Sequence, residues 1–370
     1  MPTSRITTAI SHNPDADQAV AEIQQQLGSQ LSALMCFCSS RYDLTRLGAA
    51  LHAAFSCPIL GCTTAGEIHH AAGYVEGSLV AMGFGPGAVC LDPVLIQPLA
   101  NDAQGALASQ VHRRILESAD PDFALLLCDG LSGCEEYLIA AVQHSLGRVP
   151  VIGGSAGDDG RFAQTHVYYQ GHFHSNAAVL GLCRSSLQPE TLQTQHFRPS
   201  PRKLVITEAE VDQRLVREID GIPAARAYAA AIGCQAHELD TAAFAAHPLM
   251  LRLGGRWFVR SVQQRHDDDS LTFYCAIDQG LVLTLGEAED LSGKVQADLN
   301  ALQQKPGSIA GIIAFDCILR RIDAMSHGQL GRLGATLSDY PIVGMSSYGE
   351  QCHGIHVNHT MTGLVLRGAI

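Results

Sequence analysis

A chain of 370 residues with 46% hydrophobic residues is long enough for two domains with ample buried cores. Its formal net charge of −12 argues against a nucleic-acid partner, because phosphate binding rests on clustered Lys and Arg. There is no run of ~18 apolar residues, so no membrane-spanning helix is expected.

In chain order, "MPTSRITTAISHNPDADQ" lacks the apolar centre of a secretory signal, which predicts a cytoplasmic protein. The twelve cysteines form neither CxxC nor CxxCH, so free buried thiols of a reducing compartment are expected rather than zinc, redox or c-type haem motifs. An apolar run, "SALMCFCSSRYD", then leads into "YDLTRLGAALHAAF", where Leu44, Leu47, Leu51 and Phe55 recur at helical spacing and Asp43 is placed to cap the start. "PILGCTTAGE" follows from Pro58, and "GSLVAMGF" reads as a returning strand.

The same order recurs twice. "FALLLCDGLSG", "EEYLIAAVQHSLG", "PVIGGSAGDDG" from Pro150 and "NAAVLGLC" make a second copy. "IAGIIAFDCIL", "SHGQLGRLGATLSDY", "PIVGMSSYGE" from Pro341 and "MTGLVLRG" make a third. Between copies two and three, "QPETLQTQHFRPSPRK" (188–203) reads as a proline-marked linker. "GIPAARAYAAAIG" then reads as a short helix ending at Gly233, and "LMLRLGGRWFVRSV", "SLTFYCAI" and "GLVLTLG" as a meander. "DLSGKVQADLNALQQK" is an amphipathic helix.

A strand–helix–strand crossover implies parallel pairing, and the returning strand adds an antiparallel neighbour. The predicted class is therefore α/β, with mixed sheets built from repeated strand–helix–strand–turn–strand units. Two domains are expected, 1–200 and 201–370, with the repeated turns gathered to line a cleft.

Those turns have neither the Gly-Lys-Ser/Thr of a phosphate loop nor the GxGxxG of a dinucleotide turn, and Asp158 and Asp159 would repel phosphate. Their glycines suit positive φ and close strand packing, and the hydroxyls of Thr63, Thr64, Ser155, Ser346 and Ser347 are placed to edge a pocket. Ser155 stands in Gly-Gly-Ser-Ala-Gly, which has the GxSxG spacing but runs toward the extended "THVYYQG" rather than the helix of a nucleophile elbow; neither it nor Cys62 has a base partner in the sequence, so no enzyme activity is expected. Of seventeen histidines several cluster, as His69–His70 and in "GHFHSNA", "TQHFRP" and "CHGIHVNHT". In the last, Gly354, Ile355 and Val357 favour extended backbone, which scatters His353, His356 and His359 rather than stacking them for a metal.

"FCSSRYDL", "GCTTAGEI", "VIGGSAGDDG", "EIDGIPAARAY", "AFDCILRR" and "SYGEQ…HVNHTMTG" resemble the FIST sensory domain across residues 30–366, in its N-terminal and C-terminal halves. "TQHF", "SLTFYCAIDQGLVL" and "DCILRR" resemble the NosP-type nitric-oxide-sensing haemoproteins within that group. The resemblance implies a cytoplasmic sensor holding non-covalent haem b through histidine. It also implies a diatomic gas ligand and output to a separate partner, a histidine kinase or a cyclic-di-GMP enzyme (diguanylate cyclase or phosphodiesterase). His196 is the first candidate for the iron, beside Arg198, Arg202 and Lys203 for the propionates; His174, His166 and His356 follow. One departure is that His359 stands between Asn358 and Thr360, where the family pattern has glutamine. The alternative is a FIST sensor of a small, amino-acid-like molecule without haem. Homo-oligomerisation is left open by the sequence.

Overall fold

The computed structural model describes residues 6–99, 104–116 and 120–368. Each repeat is a leading strand, a helix, a strand, a second helical segment, a parallel strand, a tight turn, a two-stranded hairpin and a returning antiparallel strand. In the first repeat these are Ile6–Ser11, Ala16–Leu27, Ala33–Ser39, Leu44–Ala54, Ile59–Thr64, the hairpin Glu67–His69 with Gly73–Val75, and Leu79–Phe84. Asp43 caps the second helix by accepting from the Thr45 and Arg46 amides, and Leu47 and Leu51 are its buried stripe. In the third repeat the second helical slot holds two helices, Ile318–Ser326 and Leu330–Leu337.

Three six-stranded sheets result, and each borrows its hairpin from another repeat. The hairpin of repeat one (67–75) joins the sheet of repeat three through Val343 opposite His69. That of repeat two (167–174) joins the sheet of repeat one through Val167 opposite Cys62. That of repeat three (350–357) joins the sheet of repeat two through Gln351 opposite Gly153. The exchange is cyclic, so no repeat can complete its sheet alone. Two of the hairpins close on consecutive left-handed residues, Gln170–Gly171 and His353–Gly354, as two-residue turns between right-twisted strands require.

The inner faces of all three sheets share one core, in which Phe37, Phe123 and Phe315 are buried together and the Phe37 and Phe315 rings meet edge-on at 5.9 Å. Helices cover the outer faces. The glycine of each proline turn lies within a strand and is needed for close approach: a Cβ on Gly61, Gly153 or Gly344 would sit 2.7, 1.9 or 2.2 Å from a carbonyl oxygen of the neighbouring parallel strand. None of these three has positive φ, so packing rather than turn geometry is the reason for glycine there.

The segment 188–203 is no linker. Gln188–Thr194 is the leading strand of repeat three, paired along its length with Met361–Arg367, and Phe197–Glu210 opens an eight-stranded sheet. Proline is tolerated because Pro199 lies at an irregularity in the pairing and Pro189 in an edge strand. The sheet, completed by Val282–Ala288 and packed on the helix Ala224–Ile232 with Gly233 as its left-handed cap, is inserted into repeat three before the helix Leu291–Gln303. A domain division near residue 200 would thus cut the strand Phe197–Glu210, and the third repeat continues on the far side of the insert. No described helix is long and apolar enough to cross a membrane.

Candidate functional site

The three turns meet at one end of the core and are laced together by backbone hydrogen bonds. Ala65 N donates to Ser346 O, Gly157 N to Thr63 O and Tyr348 N to Ser155 O. Each turn ends in an acid, and two of the acids form closed clasps. Glu67 accepts from the Thr64 hydroxyl and from the amide and hydroxyl of Ser78. Glu350 accepts in the same way from the Ser347 hydroxyl and from the amide and hydroxyl of Thr360. Burial pushes the carboxyl of Glu67 up to about 7 and that of Glu350 up to about 8.

Those shifts have a sign. A carboxyl raised in the folded state stabilises the fold fully below its unfolded value near 4.5, and the contribution is lost as pH rises through 8. Between pH 6 and pH 9 the native protein is expected to lose about 2–3 kcal/mol through Glu350. Glu350→Gln keeps the geometry of the clasp and removes that loss, leaving the part due to Glu67. Urea unfolding at the two pH values checks it; an unchanged pH dependence in the variant would refute the shift.

The second clasp is open. Ala177 stands where Ser78 and Thr360 stand, so Asp158 has no hydroxyl at that position to close on. Its carboxylate instead accepts from the Tyr348 hydroxyl and from the amides of Phe162, Ala163 and Gln164, at 2.8, 2.7 and 3.0 Å. Burial opposes its charge, but these donors outweigh burial and hold the carboxyl below its ordinary value. The loop it orders carries Phe162 in a left-handed conformation, φ 53°, stacked on Tyr348 with centroids 4.3 Å apart and planes 10° apart.

Phe162 and Tyr348 form one wall of a cleft of about 240 Å³ between the second repeat and the inserted sheet. Gly130 and Glu135 supply the body side, and Arg214, Phe273 and Tyr274 the inserted side. Arg214, left-handed at φ 51°, donates to Tyr274 O, Gly133 O, Glu135 and Glu136. Burial would lower its pKa; the two carboxylates outweigh burial and hold it above its usual value. The turn Val211–Gln213 of the insert, which Arg214 caps, is thereby tied to the first turn of the helix Glu135–Leu146. A second seam lies where the helix Thr241–Ala246 of the insert packs on Ile318–Ser326.

The residues singled out from the sequence do not converge on the cleft. His196 sits at the second seam, 1% exposed, with Nε2 3.1 Å from Asp323 and Nδ1 3.4 Å from Arg320. Burial lowers its pKa despite Asp323. His356 is buried in the sheet of repeat two against Gln351, and burial lowers its pKa too. His166 follows the Asp158 loop, its amide donating to Thr63. His174 lies in the borrowed hairpin, its ring 6.4 Å from that of His172. Arg198 is exposed and paired with Glu287. His359 takes the left-handed place (φ 52°) that Gly77 and Asn176 hold in the other hairpins, fully buried with its ring 5.2 Å from that of Phe197. The hydroxyls expected to edge a pocket are buried: Thr64 and Ser347 close clasps, Thr63 meets His166, and Ser155 accepts from Gln351. Sequence reasoning missed Phe162, Arg214 and Tyr348; the one signal was the missing hydroxyl at Ala177.

Residues 32–222 match the FIST N domain and residues 224–353 the FIST C domain. The chain belongs to the FIST family. FIST domains are small-ligand-binding sensory modules, and this FIST protein carries both halves. Over 80 residues it is 31% identical to an uncharacterized protein of Methanocaldococcus jannaschii, a stretch covering 22% of this chain and 15% of that protein. It is also similar to a cyanuric acid hydrolase structure at TM-score 0.40 and 8% identity, covering 99% of this chain and all of the other. The enzyme from A. caulinodans gives TM-score 0.39 and 10% identity over the same shares. A likeness at that level carries no argument about chemistry.

A haem needs a histidine for its iron and a pocket for its ring. Among the described residues no histidine lines the FIST cleft, which carries carboxylates and is smaller than the ~300–1,000 Å³ of sites that enclose drug-sized ligands. The imidazole of His196 already has a partner on each nitrogen. Among the described residues no group of three or more His, Cys, Asp or Glu is arranged to hold a metal ion. As arranged, neither the cleft nor His196 fits the macrocycle.

Proposed function

We propose that this FIST protein is a non-enzymatic sensor that takes a small polar organic molecule into the cleft between its second repeat and the inserted sheet. The carrying observation is the broken symmetry of the turns. Two acids are spent on closed clasps, while the third, Asp158, orders Phe162 onto Tyr348 of the third turn, and both rings line the cleft toward the insert. A ligand bound there touches both parts of the molecule. It therefore favours whichever seating of the insert it fits better, and that differential affinity is what a sensor transmits. Output goes to a separate partner of the kind the resemblance implies, a histidine kinase or a cyclic-di-GMP enzyme.

Thermal-shift screening of amino acids and amines, followed by calorimetric titration, tests the proposal. Phe162 is 41% exposed, so Phe162→Ala is expected to fold normally. Loss of its ring contact should weaken any cleft ligand about tenfold. A ligand bound equally by wild type and variant would place the site elsewhere. The haem reading is tested on the same protein by haemin titration: no Soret band shifted by His196→Ala is expected, and such a band would replace the cleft with the His196 seam.

A further inference from the structure

We infer that the cleft selects an organic cation, a small substituted ammonium; this rests on the cleft being the ligand site. Its charge balance is lopsided. Glu135 and Asp212 line it, Glu136 shares the same guanidinium, and among the described residues Arg214 is the one cation in the wall. The two terminal nitrogens of that guanidinium already serve two carboxylates and two backbone carbonyls, at 2.5 to 3.1 Å. An anionic ligand would have to displace those partners and would meet the carboxylates they leave. A cation meets no such obstacle.

The aromatic wall points the same way. One face of Phe162 lies on Tyr348, and its ring centroid is 6.3 Å from that of Tyr274. Ring faces attract a desolvated ammonium through their quadrupoles, and a rim of carboxylates completes the recognition of such groups. The asymmetry of the whole chain, −12, raises the local concentration of cations as they approach. At about 240 Å³ the cleft admits a compact headgroup rather than a long chain.

The test uses the full-length protein and three probes of one shape: choline, its neutral isostere 3,3-dimethylbutan-1-ol, and the anion 3,3-dimethylbutyrate. Calorimetric titration should show choline binding at least about tenfold tighter than the neutral isostere. Asp212→Asn, at an exposed position that should leave folding intact, should narrow that ratio several-fold, and Phe162→Ala should weaken choline about tenfold. Equal binding of choline and the neutral isostere, still sensitive to Phe162, would overturn charge selection and leave the cleft as the site. Preference for the anion would overturn it likewise. If no probe binds and the wider screen yields no Phe162-dependent ligand, both the charge inference and the cleft reading fall.

Discussion

Replacing Arg320 with methionine is expected to destabilise the protein by about 3–5 kcal/mol, since it strips a buried carboxylate of its counter-charge. Arg320, on the helix Ile318–Ser326, and Asp316, at the end of the strand Ile309–Cys317, are both fully buried, with Nε 2.6 Å from Oδ1. Asp316 also accepts from Tyr74, which reaches this sheet only through the exchanged hairpin of repeat one. Arg320 further touches His196 at the seam of the insert. The Arg320–Asp316 pair therefore joins its own segment to Tyr74 of the exchanged hairpin and to His196 at the seam. Urea unfolding measures the loss. Arg320→Met combined with Asp316→Leu removes both charges and is expected to recover much of it, because an apolar pair leaves no uncompensated ion. A loss under about 1 kcal/mol in the single variant would show that the pair is not buried as described.

The second large effect is expected at Gly153. Its added Cβ would fall 1.9 Å from the carbonyl oxygen of Leu126 and 3.1 Å from the Gln351 side chain. Backbone cannot yield as a flexible side chain does, so Gly153→Ala should cost about 1–3 kcal/mol or more through overpacking. Gly331, in the helix Leu330–Leu337, is the control. Nothing lies within 4 Å of its Cβ position, and alanine there should stabilise by up to about 1 kcal/mol. Equal unfolding midpoints for the two variants would refute the close-approach explanation of the repeated glycine.

The stability and binding predictions address different levels of the structure. Gly153 sits in a motif visible three times over in the sequence, and its reason is a neighbouring strand one crossover away. Arg320 lies in "AFDCILRR", one of the motifs that carry the resemblance, but nothing local names what encloses it: His196, and Tyr74 reached through Asp316 by the exchange between repeats. The histidines make the same point from the other side. His172 and His174 do alternate with a buried-side Phe173, whose ring meets that of Tyr168 at 5.5 Å, because alternation is a local property of a strand. His196, conspicuous beside a run of cations, is instead enclosed by Asp323 and Arg320, which lie more than one hundred residues away.

The sequence by itself determined the unit: apolar runs, helix caps such as Asp43, the glycines of the proline turns, the threefold repetition and the FIST resemblance. These depend on periodicity and on contacts within a single crossover, so they are written in short stretches of chain. Tertiary structure alone decided that the hairpins exchange cyclically, that 188–203 forms strands, that a sheet is inserted inside repeat three, and that Asp158 orders Phe162 into the wall of a cleft. Each of these depends on which distant segments become neighbours. Repeated units of nearly equal pattern compete for the same partners, and only the packed core, where Phe37, Phe123 and Phe315 meet, selects among them.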